Sequence, residues 1–349
     1  MVAAFEDVTA GIGRLQYRAE MPYRTLTGPV RAVVRRGKTE ADWLTSRRDR
    51  ADVSVFHEFM PPPYGGGNQF LLALVGEFER RGLEVETNRL SGATPACLFN
   101  SFNFDFGRLR RFARGGARMV HRVDGPIAVY RGFDDGTDLR IKRVNDELAD
   151  ATIFQSQWSL DKHRELGLEL RNPVVIHNAV DPSIFHPPVQ REPLVGRALR
   201  VVTTSWSDNP RKGSDILRWL DENHDPERVN VTFVGNTRVA FTSIRRVAAV
   251  PSRELAEILC AHDVFLAPSR DDPCSNSLLE GLACGLPAAY LRSGGHPELV
   301  GGGGIGFDGP EELPNVFERL REQLDARRAA IRVPALAKVA DRYLEALRG

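Results

Sequence analysis

Several things are scarce in this chain of 349 residues, and each shortage excludes a class of protein. There are four cysteines, Cys97, Cys260, Cys274 and Cys284, with no CxxC pair and no metal-ligand spacing. That argues against a disulfide framework or a cysteine zinc site and fits four small buried hydrophobes in a reduced compartment. No apolar run approaches the roughly 20 residues that a membrane span requires, and the first residues lack a hydrophobic signal core, so a cytoplasmic location is expected. Excess charge is also missing: 47 basic against 46 acidic residues leave a net charge of +1, too little for a bulk electrostatic grip on nucleic acid or on an anionic membrane. Lysine is rare, at five residues, and nearly all the basic residues are arginines. No short-period repeat is visible, which excludes a solenoid.

What remains is ordinary for a globular protein, 42% hydrophobic and 27% charged, and long enough for two domains. Residues 1–50 carry more arginines than acids and scattered apolar positions, and read as an extension or an added strand. From Val53 onward short β-branched or aromatic runs alternate with helical ones, as in VSVFHEF followed by NQFLLALVGEFERRG. This alternation indicates a parallel sheet covered on both faces. A proline-punctuated stretch, DPSIFHPPVQREPLVG, has the composition of a linker. The alternation then restarts at LRVVTTSW. We therefore expect an α/β protein with two Rossmann-like parallel-sheet domains facing a cleft: residues 51–182, a linker at 183–198, and residues 199–330. The helical segment 331–349 is expected to return toward the first domain.

In such sheets ligands bind beyond the carboxyl ends of the strands, where loops meet helix amino termini. After the first strand runs PPPYGGGN, in which Gly65, Gly66 and Gly67 permit close backbone approach and aim N–H groups at a phosphate or sugar. No Gly-Lys-Ser/Thr follows, so it is not a Walker loop. GGGGIG at 301–306 formally satisfies GxGxxG but leads into a strand rather than a helix, the reverse of the dinucleotide order. The stretch DDPCSNSLLEGLACGLP spaces Asp272 and Glu280 around the start of an apolar helix. Pro273 forbids helix interior, and Ser275, Asn276 or Ser277 can cap, which puts the helix start near Ser277. The spacing from Ser277 to Glu280 also fits a capping box, which would give Glu280 a local role only.

The array D-x7-E followed by GLACGLP and GGHPELV resembles the E-x7-E region of retaining glycosyltransferases of family 4, which have the GT-B fold. VVIHNAVDPSIFHP is similar to that family's domain crossover, YGGGNQFLLAL to its first glycine loop, and WSDNPRKGSDIL to its phosphate-binding turn. The ordered set spans most of the chain from about Ser54. The resemblance implies a nucleotide-diphosphate sugar as donor, a UDP-sugar being favoured, held mainly by the second domain with the acceptor on the first. It further implies Glu280 on the ribose hydroxyls, Asp272 on the donor sugar, Lys212 on the diphosphate, and His121 facing the sugar near the reacting carbon. Gly65, Gly66, Gly67, Ser275, Asn276 and Ser277 would add amides and hydroxyls around the phosphates. Two departures stand out. Asp272 is one methylene shorter than the family glutamate, and Ser207 replaces an arginine, a charge that Arg211 or Asn209 would have to supply.

The reaction implied is hexosyl or related transfer to a glycan, lipid-linked or small-molecule hydroxyl, with neither cofactor nor metal, since no D-x-D strand end is present. The same cleft would also suit a catalytically silent homologue serving as a partner subunit, a nucleotide-sugar epimerase or a phosphorylase. A basic amphipathic stretch, with Phe106, Leu109 and Ala113 on one side and arginines nearby, is a candidate for peripheral contact with the inner face of a membrane. The bland alternative is a surface helix with a core face.

Overall fold

The structure, a computed structural model, describes residues 38–349 except 40, 43, 46–48, 61–64, 103 and 114–115. Most of the extension expected at 1–50 lies outside the described residues, as do Pro61 to Tyr64 ahead of the glycine loop.

Two six-stranded sheets lie in series. The first contains β1 (Val53–Phe56), β2 (Val85–Thr87), β3 (Ala96–Asn100), β4 (Arg118–Val123), β5 (Ala151–Phe154) and β6 (Pro173–Val175), in the order β2-β1-β3-β4-β5-β6. The second contains β7 (Leu199–Ser205), β8 (Val229–Gly235), β9 (Arg245–Val247), β10 (Val264–Ala267), β11 (Ala288–Leu291) and β12 (Gly304–Phe307), in the order β12-β11-β10-β7-β8-β9. Every pairing is parallel. Parallel strands need crossovers, and these supply helices to both faces, which is why β1, β3, β5 and β10 are buried along their whole length. The strand order reverses between β1 and β3 in one sheet and between β7 and β10 in the other. Neighbouring loops at such a reversal splay to opposite faces and leave a crevice at the carboxyl edge.

The terminal helix Leu336–Arg348 belongs by packing to the first sheet, although its sequence follows the second. Leu336, Val339, Ala340, Tyr343 and Leu347 are buried in the same core as Phe70 and Leu74 of the helix Gly66–Arg80. The Tyr343 and Phe70 rings lie 5.7 Å apart, Arg118 Nε donates to the Ala346 carbonyl at 2.8 Å, and Arg81 pairs with Asp341 at 2.6 Å.

The basic stretch forms the helix Phe106–Phe112, and its apolar side is a core face: Leu109 and Phe112 are buried. Arg108 pairs with Asp42 at 2.8 Å and Arg110 with Glu147 at 2.7 Å, so two of its charges are spent within the protein. No helix among the described residues is long and apolar enough to cross a membrane.

Because the terminal helix completes the first core, truncating one of its anchors should be costly. Leu336→Ala is expected to destabilise the protein by about 2–5 kcal/mol, read from urea unfolding followed by tryptophan fluorescence.

Candidate active site

A cavity of about 640 Å³ opens between the two sheets at their carboxyl edges. Its first-domain wall includes His57, Glu58, the triple glycine, Asp124 and Tyr130; its second-domain wall includes Ser207, Lys212, Asp272, Ser275, Ser277 and Glu280. Loops that follow β1, β4, β7 and β10 build it, three of them at the reversal points of the sheets.

Lys212 ends a short 3-10 turn, Pro210–Lys212, that follows β7. Gly213 then turns left-handed, with φ +86°, into the helix Ser214–Asn223. A Cβ on Gly213 would lie 2.5 Å from Pro268, so only glycine lets the turn seat against the β10 loop. The seating brings Lys212 Nζ to 2.8 Å from Asp272 Oδ2 and 5.0 Å above the ring of Tyr130, which comes from the first domain. Burial by itself would lower the lysine's pKa, but the Asp272 carboxylate holds it above the ordinary value; conversely, Lys212 outweighs burial and keeps Asp272 below the usual carboxylate range. Both groups are therefore charged at neutral pH.

The helix Asn276–Ala283 points its amino terminus into the same space. Its cap is Ser275, whose Oγ accepts from the Leu278 amide at 3.4 Å, so the helix starts one residue ahead of the expected Ser277. The capping box is consequently not formed. Glu280 falls a turn further in, 9% exposed, and its carboxyl group makes no hydrogen bond or ion pair among the described residues. Burial alone pushes its carboxyl up to about 8.

Two glycines seat the acidic turn from behind. Gly294 has φ +63°, its Cβ would lie 2.3 Å from the Asp272 carbonyl, and the Gly295 amide donates to that carbonyl at 2.9 Å. Across the cleft, a Cβ on Gly66 would fall 2.7 Å from the Asn276 side chain. The first glycine loop therefore sets how closely the domains approach, in addition to presenting amides. Asn178, from the crossover, donates to Asn276 Oδ1 at 3.1 Å, and Glu298 accepts from the Gln157 and Trp158 amides, each at 2.9 Å, and contacts His177 Nε2 at 2.9 Å.

The expected site residues thus divide. Gly65, Gly66, Gly67, Lys212, Asp272, Ser275, Asn276, Ser277 and Glu280 share the cavity. His121 does not: it is fully buried, stacked on Phe99 at 4.3 Å, with Nδ1 at 3.1 Å from Asn145 and Nε2 at 3.3 Å from the Ser101 carbonyl. Burial lowers its pKa to about 3, so it is a neutral core histidine. Arg211 pairs with Asp271 and Asn209 accepts from the Arg211 amide at 3.0 Å, so both serve the turn and neither lines the cavity. The Ser207 hydroxyl likewise accepts from the Asn209 amide at 3.1 Å. Among the described residues no arginine of the cavity wall stands in for the charge absent at Ser207; Arg131, the other cation on the wall, pairs with Asp135 at 3.0 Å. Asp124, which MVHRVDG offers either as an orienting partner for His121 or as the end of its strand, lines the first-domain wall, and so does His57, which no motif singles out. The position of His57 directly after β1, at a strand carboxyl end, is the signal that marks it.

Residues 214–323 match the family model described as glycosyl transferases group 1. No curated protein matches the chain. Among solved structures, Alr3699/HepE of Anabaena in complex with UDP and glucose aligns over 85% of this chain and 99% of its own, with TM-score 0.63 and 16% identity. Sucrose-phosphate synthase (tll1590) from Thermosynechococcus elongatus aligns over 92% and 90%, with TM-score 0.57 and 15% identity. The catalytic domain of starch synthase IV from Arabidopsis thaliana, bound to ADP and acarbose, aligns over 82% and 78%, with TM-score 0.57 and 12% identity. The fold is GT-B. A group 1 domain within a GT-B frame supports glycosyltransferase activity.

The isolated carboxyl of Glu280 yields a pH prediction. Below about pH 4.5 both folded and unfolded chains hold its proton; between 4.5 and about 8 the unfolded chain releases it while the folded one resists, so stability contributed at this position falls as pH rises. The melting temperature of Glu280→Gln, relative to the unmutated protein, should therefore rise steadily from about pH 5 to pH 8. A difference independent of pH would mean that Glu280 titrates normally.

Proposed function

We propose that the protein is a retaining glycosyltransferase that moves a sugar from a nucleoside diphosphate sugar, with UDP favoured, to a hydroxyl acceptor without a metal ion. The observation that carries this reading is the joint presence, on one wall, of a charged lysine, a helix amino terminus and an unpartnered buried carboxyl group. A diphosphate is complementary to the first two, because the ammonium and the unpaired amides of a helix start both favour negative charge. A ribose is complementary to the third, since the oxygens of a carboxyl group can accept from its neighbouring hydroxyls. Neighbouring structures that hold UDP, UDP and glucose, or UDP-glucose agree with such a donor.

In this reading Asp272 receives hydroxyls of the transferred sugar while also holding Lys212 in place. The bond from the anomeric carbon to the diphosphate breaks, the acceptor oxygen bonds to that carbon on the same face, and the acceptor's proton passes to the departing phosphate oxygen. Lys212 and the amides from Asn276 onward stabilise the charge that collects on the leaving group, and Gly65 to Gly67 let the first domain close over it. His121 has no part in this chemistry, given its position in the core.

Lys212→Ala is expected to lower turnover of UDP-glucose, by hydrolysis or transfer, about a hundredfold, equivalent to roughly 3 kcal/mol of lost charge stabilisation. Lys212→Arg, which keeps the charge, should recover part of that loss. Turnover near the unmutated value in the alanine variant would remove the lysine from the reaction, and interconversion of the free nucleotide sugar without transfer would favour an epimerase.

A further inference from the structure

We infer that Asp124 is a sugar-binding residue of the first-domain wall, and that this wall takes a neutral polyol in preference to a phosphorylated sugar. The inference rests on the transferase reading for the presence of sugar in the cavity, and it starts from a buried charge. Arg122 is 0% exposed, its guanidinium lies 5.1 Å from the Phe70 ring centroid, and its Nε has no hydrogen-bond partner among the described residues. Its Nη1 donates to Asn100 Oδ1 at 2.6 Å and its Nη2 to Asn178 Oδ1 at 3.0 Å, both neutral acceptors. The carboxylate that balances it is Asp124, with Oδ1 at 3.5 Å from Nη1.

A fully buried guanidinium is expensive to desolvate, and a pair of this length repays little of that cost. Its placement makes sense if the partner's position matters. The Asp124 side chain is 32% exposed and lines the cavity, with Oδ2 accepting from Ser101 Oγ at 3.1 Å and Oδ1 also accepting from Gln155 Nε2. The carboxylate is thus braced from behind by three side chains and presents its remaining lone pairs to the cavity. The next residue, Gly125, packs on the acidic turn of the other domain: a Cβ there would lie 3.1 Å from Pro273. Asp124 and Asp272 therefore each adjoin the contact between Gly125 and Pro273 where the two walls meet.

Among the described residues, the wall around it has no cation without an acidic partner. Glu58 and Asp124 are acidic and Arg131 is committed to Asp135. His57 is held neutral, its pKa lowered to about 4 by burial and by the charge of Arg122. A phosphate group there would meet like charge, whereas sugar hydroxyls can donate to a preorganised carboxylate. The hydroxyls belong either to the transferred sugar or to the acceptor, and the experiment separates the two.

Calorimetry on the unmutated protein and Asp124→Asn, an isosteric change, would measure UDP, UDP-glucose and, on UDP-loaded protein, methyl α-D-glucoside and glucose 6-phosphate. A charge-assisted hydrogen bond predicts a loss of about tenfold or more in one of two ratios. A fall in the UDP-glucose to UDP affinity ratio assigns the contact to the transferred sugar; a fall in glucoside affinity relative to UDP assigns it to the acceptor. Because ratios are read, a partial loss of fold cancels, and Asp124→Glu, which keeps the charge, should recover part of the lost ratio. Both ratios unchanged, or tighter binding of glucose 6-phosphate than of the glucoside by the unmutated protein, would overturn the inference. Failure of the unmutated protein to bind either nucleotide would instead overturn the donor reading, and the glucoside arm on free protein, with loss of binding expected in Asp124→Asn and unaltered binding against it, still decides Asp124.

Discussion

The ion pair between Lys212 and Asp272 organises the cleft. An ammonium and a carboxylate 2.8 Å apart, each mostly withdrawn from solvent, are affordable only as partners, because either alone would bear its full desolvation cost. The pair ties the loop after β7 to the loop after β10, the strands between which the second sheet reverses. It also keeps the lysine extended over Tyr130 of the other domain rather than folded away into water. A diphosphate entering the cavity would then meet a positive charge already positioned, with no side chain left to order.

Around this pair the contact between domains is made of small residues and polar ties rather than a broad apolar seam. A methyl group on Gly66 would collide with Asn276 and one on Gly125 would crowd Pro273, while the Gly294-Gly295 pair seats Asp272 from within the second domain. Asn178 and Glu298 bridge the same interface through hydrogen bonds. Interfaces of this kind hold a geometry closely while leaving hinge motion inexpensive, which suits a site that must admit and release a nucleotide. The terminal helix strengthens the arrangement from outside, because it carries the end of the chain from the second domain back onto the first core.

The architecture was legible because parallel sheets buried on both faces leave continuous apolar strands between helical segments, and both halves of this chain show that alternation. Within the site, the resemblance of their motifs brings Lys212, Asp272 and Glu280 together, and the structure sets all three in the cavity, where loops and helix starts at strand ends have locally fixed surroundings. His121 could not be judged in this way. Successive residues of β4 point to opposite faces, and in this sheet both faces are core, so His121 stacks on Phe99 while Arg122 reaches toward Phe70. Nor does the sequence mark Arg122 as buried, since its partners Asn100 and Asn178 lie far along the chain. Three capping residues stand in a row ahead of the helix, so its start is defined by sequence only to within a residue; the structure caps it with Ser275, alongside the seat of Pro273 against Gly125 and Gly295.

The central claim is that the second-domain wall is built for a nucleoside diphosphate. Its most direct test is a crystal structure with UDP bound. The account predicts phosphate oxygens within hydrogen-bond distance of Lys212 Nζ and of the amides at the start of the helix Asn276–Ala283, with the ribose hydroxyls on Glu280. UDP bound elsewhere, or in the cleft with its phosphates turned away from Lys212, would contradict it.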